Sequence, residues 1–160
     1  MRVAIGTGAL ALIADQVSKW WVIERMALDQ RLFIPVADPY LNFAMAWNRG
    51  VNFGLFGSES DVMRWALIAL AVVICVVVWV WVQREGAGRW LQIGAGLMIG
   101  GALGNVIDRI RWGAVADFIN MSCCGFHNPW SFNIADAAIF AGAFVLILFS
   151  GRKAPPATKA

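Results

Sequence analysis

The sequence predicts a membrane all-α bundle: four transmembrane helices carrying a small extracytoplasmic β-sheet, or cradle, and a loop. Three observations carry this expectation. The 160-residue chain is 60% hydrophobic and only 14% charged, with a mean hydropathy of +0.66; soluble domains are nearer half apolar and a quarter charged. Apolar runs at about 3–23, 62–82, 90–107 and 132–149 each come close to the ~20 residues that cross a bilayer core. Between them, LNFAMAWN alternates Leu41, Phe43, Met45 and Trp47 with Asn42, Ala44, Ala46 and Asn48, the period-2 pattern of a strand with one apolar face.

In chain order, the first run is interrupted late by Asp15, Gln16, Ser18 and Lys19. Arg2, an apolar stretch and small residues before Asp15 also fit a cleavable signal, but apolar character resumes in WWVI, so the run is read as retained. The run 62–82 is the cleanest, with no polar residue over 72–82 other than Cys75. Residues 1–160 thus form one integral membrane domain, with 24–61 and 108–131 on one side and a disordered Pro/Ala/Lys-rich tail at 151–160. Arg2, the QREGAGR loop and the tail put dense positive charge on the other side, so the positive-inside rule places both termini in the cytoplasm. Trp20, Trp21, Trp65, Trp112 and Trp130 fall at outer ends of runs and Trp79, Trp81 and Trp90 at inner ends, as aromatic belts do.

In the first outer loop, Arg49–Gly50 reads as a turn after LNFAMAWN, and VNFGLFG as a second, glycine-broken strand. Such a sheet either cradles an extended peptide along its edge or caps the bundle with no ligand. The segment 53–57 is read as one that can move as a lid.

Several function classes fall away at this stage. Net charge is +3, yet the basic residues are scattered, so no nucleic-acid partner is expected. Cys75, Cys123 and Cys124 form no disulfide framework. A single histidine, His127, cannot build a multi-histidine zinc site, and neither a metal nor a cofactor is expected.

The chemistry-bearing residues converge on 113–136, GAVADFINMSCCGFHNPWSFNIAD. Asp117 sits in a short extended piece, AVADFI, and Asp136 about one turn into the last apolar run. An ionisable group at membrane depth costs at least ~2.5 kcal/mol on insertion scales, so two of them imply a function. On the third run, Gly101, Asn105, Asp108 and Arg109 share a face, and on the fourth so do Asn133, Asp136, Phe140 and Ala143. Gly96/Gly100 and Gly100/Gly104 are small-xxx-small pairs that allow close helix approach.

Asp15, Lys19, Asp108 and Arg109 fit either an inert ion-pair network or part of a site. Asp117 and Asp136 have no evident cation of their own, which makes them the better catalytic pair. Two close carboxylates share a proton, so one acts as general base on water while the other donates a proton. Peptide hydrolysis by that route needs no metal and no covalent nucleophile. A Cys/His nucleophile from Cys123, Cys124 and His127 stays open as a lesser alternative. A proton-coupled transporter and an inert assembly protein are the other classes, although the polar groups gather near one surface rather than crossing the bilayer.

DQVSKWW, NRGVNFGLF, GGALGNVIDR, GAVADF and FNIAD, in this order between four apolar runs, resemble the signature blocks of bacterial lipoprotein signal peptidase (signal peptidase II). The resemblance covers most of the chain. It implies a multi-pass aspartyl endopeptidase of the bacterial plasma (inner) membrane, with its active site at the outer face. Its substrates would be prolipoproteins, cut just before a cysteine carrying diacylglycerol, with membrane lipid as a further partner and inhibition by globomycin-type cyclic peptides. By block, Asp117 and Asp136 correspond to the catalytic dyad, and Asn105 and Arg109 would hold the substrate backbone. Asn48, Gly50, Asp15, Lys19, Asp108 and Asn133 would shape or support the site. Ala137 departs from the family, which often has Ser after this aspartate.

Overall fold

The computed structural model describes residues 1–50, 61–85 and 88–150. The expected strand VNFGLFG, the lid at 53–57, the middle of the QREGAGR loop and the tail at 151–160 lie outside the described residues. The helices are α1 (Arg2–Trp20), a short α2 (Leu28–Arg31), α3 (Asp61–Arg84), α4 (Arg89–Trp112) and α5 (Ile134–Phe149). The strands are β1 (Phe33–Ala37), β2 (Leu41–Asn48) and β3 (Val115–Asn120).

Helix α4 is the axis of the bundle because its glycines let two other helices reach its backbone. Toward α1, a Cβ at Gly100 would run into the carbonyl oxygen of Gly8, and one at Gly96 into Thr7 and the carbonyl of Ala4. Toward α5, a Cβ at Gly94 would lie 3.0 Å from the Gly142 carbonyl oxygen, and one at Gly101 would strike the Ala135 carbonyl. Van der Waals contact between backbones is the main attraction available between helices in an apolar solvent. The stripe Gly96, Gly100 and Gly104 read from the sequence thus faces α1, while Gly94 and Gly101 form a second set that faces α5. Helix α5 packs through Ala135, Ala138, Gly142 and Leu146. Phe140, expected to share the inward face with Asp136, is 78% exposed; the polar rim of α5 is not its packing face.

Helices α3 and α4, with 24 residues each, are long and apolar enough to cross a membrane, spanning about 36 Å at 1.5 Å per residue. Helix α4 runs to Trp112, past the boundary expected at 107, because its polar Asn105 and Asp108 are buried against other elements rather than solvated. The outward faces of the bundle are apolar: Ile5, Leu10, Ile13 and Val17 on α1, Val72, Val73, Val76 and Val77 on α3, and Phe144 and Ile147 on α5 are all exposed.

Strand β2 forms over the alternating segment, but a bulge between Phe43 and Ala46 shifts its register against β3 and interrupts the single apolar face; its neighbours are β1 and β3, in the order β1-β2-β3. Strand β1 is absent from the sequence reading because Pro35 argues against a strand interior. It is an edge strand, where proline is tolerated. The sheet is antiparallel throughout, with Ile34 opposite Phe43, Ala46 opposite Asp117 and Asn48 opposite Val115. Phe43 meets Phe118 edge-on at 5.8 Å and Trp47 meets Trp112 at 5.6 Å, fixing the sheet over a core of Val22, Ile23, Leu28 and Ala116. Neither outer edge suits strand addition. Pro35 interrupts the donors of β1, and the outer side of β3 is bridged by Phe132, whose N–H donates to the Ile119 carbonyl at 3.0 Å.

Gly100→Ala is expected to lower stability by about 1–3 kcal/mol, since the new methyl group meets backbone that cannot swing away. Gly6→Ala, with nothing within 4 Å of the added Cβ, is expected to be neutral or slightly stabilising. Thermal unfolding of the two variants in detergent checks the contrast.

Candidate active site

The polar residues of α1, α4, β3 and α5 meet at one end of the bundle, and a fully buried lysine ties them together. Lys19 Nζ lies 2.8 Å from Asp15 Oδ2 and 2.6 Å from Asp108 Oδ2, with no exposure on any of the three side chains. It also donates to Asn105 Oδ1 at 3.4 Å. A backbone N–H from another element also reaches each carboxylate. Asp15 Oδ1 accepts from Ala135 N at 2.9 Å, one of the unpaired N–H groups at the start of α5. Asp108 Oδ2 accepts from Ala116 N at 3.2 Å in β3. Gln16, not singled out in the sequence, completes the cluster by donating to Asp108 Oδ1 at 2.9 Å and to Asp15 Oδ2 at 3.1 Å. Its only sequence signal was a polar side chain beside Asp15 in an apolar run.

Of the four residues weighed as an ion network, three form one. Arg109 stands apart from it. Its guanidinium donates to the Asn105 carbonyl at 3.5 Å, its buried Nε has no partner among the described residues, and the charges of Asp117, Asp136 and Asp108 all act on it. The dyad candidates thus have a neighbouring cation that the sequence did not reveal.

Asp117 and Asp136 are held differently, by neutral amides. The turn FNIAD supplies the first. Asn133 is the N-cap of α5 and Asp136 its third residue, closing a capping box in which Asn133 Oδ1 accepts from Asp136 N at 2.8 Å. The same asparagine donates through Nδ2 to Asp117 Oδ1 at 2.6 Å. Asn48 at the end of β2 donates to Asp117 Oδ2 at 3.1 Å, and Gly50 N fixes Asn48 by donating to its Oδ1 at 3.0 Å. Gly50 has φ +91°, and a Cβ there would press on Leu67. Asn105 of α4 donates to Asp136 Oδ1 at 2.9 Å. Asn133 touches both carboxyl residues, so the two elements that carry them, β3 and α5, cannot separate without breaking its contacts.

The two carboxylates feel each other. Burial, and then the charge of Asp136, push the Asp117 carboxyl up to about 6, against the opposing hydrogen bonds from Asn48 and Asn133. Such a group carries a proton over a range where an ordinary aspartate does not. Between α3, α4 and α5, Asn105 and Arg109 close the end of an apolar crevice of about 170 Å³ lined by Leu67, Ile74, Met98 and Ile139. The lesser nucleophile candidates lie elsewhere: Cys123, Cys124 and His127 are exposed, with the two sulfurs 2.8 Å apart and no Cys–His hydrogen bond among the described residues.

The chain matches the family model described as signal peptidase (SPase) II over residues 7–151. It belongs to the signal peptidase II family. The family is one of peptidases, and its curated members are similar along nearly their whole length. The lipoprotein signal peptidase of Methylorubrum extorquens is 43% identical over 161 residues, covering 96% of this chain and 91% of its own. That of Methylobacterium radiotolerans is 46% identical over 149 residues, covering 90% and 85%. Two solved structures, each described as a bacterial membrane enzyme studied by the in meso method, share the fold at 24% identity. One, at 1.9 Å resolution, has a TM-score of 0.78 over 96% of both chains; the other, at 2.3 Å, has 0.75 over 99% of this chain and 96% of its own.

Because burial and Asp136 push the Asp117 carboxyl up to about 6, above the ordinary aspartate range, the folded state binds a proton that the unfolded chain releases. Its contribution to stability is complete below pH 3.8 and is lost as pH rises through 6, a change of about 3 kcal/mol. Asp136→Asn removes one of the two causes and is expected to shrink this decline and move it to lower pH. Unfolding midpoints between pH 4 and 8 test this; curves of identical shape would mean the carboxylates do not sense each other.

Proposed function

We propose that this chain is an aspartic endopeptidase embedded in the bacterial plasma membrane. It removes the signal peptide from diacylglyceryl-modified prolipoproteins, cutting before the lipidated cysteine. The observation that carries this reading is the Asp117–Asp136 pair, braced by Asn48, Asn105 and Asn133, in a chain of the signal peptidase II family. Four spans are proposed, α1, α3, α4 and α5, with both termini cytoplasmic and the dyad at the outer face. The apolar outward faces of α1, α3 and α5 support contact with lipid on all sides.

The chemistry follows from the carboxyl pair. With its raised pKa, Asp117 is the better holder of the shared proton and serves as the acid, passing it to the carbonyl oxygen and then to the leaving amine. Asp136 takes a proton from the attacking water. An apolar substrate that displaces water from Asp117 raises its pKa further, keeping the proton in place toward neutral pH. Arg109, with an unpaired Nε, and Asn105 are positioned as donors to the substrate backbone, and the crevice below them is suited to an acyl chain or the apolar signal segment. A globomycin-type cyclic peptide would compete for the same region. Asp15, Lys19, Asp108 and Asn133 support the dyad, and Asn48 and Gly50 border the substrate.

The test is cleavage of a diacylated prolipoprotein by the purified chain in detergent with EDTA present. Asp117→Asn and Asp136→Asn are each expected to lose about 10²-fold or more in kcat while remaining folded; near wild-type turnover in either would overturn the dyad. Arg109→Ala is expected to raise KM by about 10-fold or more, the worth of a hydrogen bond from a charged donor, with a smaller effect on kcat. An unchanged KM would remove Arg109 from substrate binding.

A further inference from the structure

The loop that joins β3 to α5 carries the adjacent thiols Cys123 and Cys124, which the chemistry of the carboxyl pair does not use. Both are exposed, and their sulfurs stand 2.8 Å apart, with Cys123 Sγ donating to Cys124 Sγ. The turn that presents them is sharply defined. Phe126 N donates to the Cys123 carbonyl at 2.9 Å, and Cys123 and Phe126 pair as an antiparallel bridge. The two central residues, Cys124 and Gly125, have φ of 57° and 83°. Positive φ at both central positions makes this a type I′ hairpin turn. Glycine meets that demand freely, and asparagine or aspartate suits the first central position; a cysteine there is the outlier. A side chain kept at such a position against the backbone's preference points to a use for the side chain itself.

The base of the turn is held from both sides, so the sulfurs stay together. Asn128 N donates to Ser122 Oγ at 3.0 Å, and Asn120 Nδ2 donates to the carbonyls of Asn128 and Trp130 at 2.8 and 2.9 Å. Ser122 N donates to the Tyr40 carbonyl at 3.3 Å. The third cysteine, Cys75, belongs to α3 and is half-buried there. Bonding neighbours to each other is geometrically demanding. Disulfides usually join Cα atoms about 4.4–6.8 Å apart, whereas consecutive Cα atoms lie about 3.8 Å apart. A bridge between adjacent cysteines is therefore strained, and a strained, exposed disulfide is easily reduced. That constraint excludes a permanent staple and leaves a couple that opens and closes.

Resting on the orientation proposed above, which sets this loop on the extracytoplasmic side, we propose that Cys123 and Cys124 form a thiol–disulfide exchange site. An oxidised thiol compound closes the pair to a vicinal disulfide, and free thiols reopen it. Disulfides form and persist on that side of the membrane. Cys124 Sγ accepts the Cys123 S–H, so it can give up its own proton to solvent and keep that contact as a thiolate. The thiolate attacks one sulfur of a disulfide R–S–S–R, which forms a mixed disulfide on Cys124 and expels RS⁻. Cys123 then loses its proton, attacks Cys124 Sγ and expels the second RS⁻. The two RS⁻ take up the two protons. Two cysteine thiols are oxidised, one R–S–S–R is reduced to two R–SH, and no other co-reactant enters. The reduced pair is also a two-sulfur clamp for a trivalent arsenical, which serves as its probe.

The experiment uses the full purified chain in detergent, reduced and then exposed to glutathione disulfide, with intact mass as the readout. Wild type is expected to lose two hydrogens, keep no glutathionyl group and regain both thiols with dithiothreitol. Cys123→Ser and Cys124→Asn, each with one thiol left in the turn, are expected to hold a glutathionyl adduct instead. Asparagine tolerates positive φ, so Cys124→Asn keeps the turn. Phenylarsine oxide is expected to bind reduced wild type at least about a hundredfold more tightly than either variant, the scale of linking two ligands. A stable glutathionyl adduct on wild type, cross-linking to a second copy, or equal arsenical affinity in the variants overturns the site. These readouts need no peptide cleavage, so they stand whatever becomes of the peptidase reading. In spheroplasts, a membrane-impermeant maleimide is expected to label the pair only after reduction. Labelling without reduction overturns the closed state. A reduced pair that stays unlabelled until lysis overturns the orientation, and with it the extracytoplasmic oxidant.

Discussion

The structure depends on a lysine with no access to water. Removing one partner of a buried ion pair costs about 3–5 kcal/mol because a charge is left uncompensated, so Lys19 obliges Asp15 and Asp108 to stay where they are. Each of those carboxylates in turn satisfies a backbone N–H of another element, Ala135 at the head of α5 and Ala116 in β3. One ammonium group thereby sets the spacing of α1, α4, α5 and the sheet. The glycine contacts beneath it bring the helices close enough for such short ion pairs to form.

The four buried or half-buried aspartates fall into two kinds. Asp15 and Asp108 are neutralised by a full charge. Asp117 and Asp136 are oriented by asparagine amides, which fix where the oxygens point without supplying a countercharge. An ammonium in direct contact supplies a full countercharge; an amide orients a carboxyl group without one. That difference in partners separates Asp15 and Asp108 from Asp117 and Asp136, and it is visible only once the partners are known.

Much of this was legible locally. The alternation of LNFAMAWN gave β2, the extended character of AVADFI gave β3, and the spacing of Asn133 and Asp136 matches a helix start. What stayed hidden was non-local. Asp108 and Arg109 are adjacent, hence about 100° apart around the helix, and only the packing reveals that one turns toward Lys19 and the other toward the carboxyl pair. Strand β1 was masked by Pro35, whose cost vanishes at an edge. Gln16 carried no periodic signal at all, and its role appears only when α1 lies against α4.

Asn133 does two jobs with one side chain, starting α5 and gripping Asp117 across to β3. The carboxyl pair therefore does not exist in a partly assembled chain: until the last helix has nucleated and docked, the two aspartates belong to separate segments. A nascent copy therefore carries no assembled carboxyl pair. Assembly of the fold and assembly of the carboxyl pair are one event, since both wait on the docking of α5.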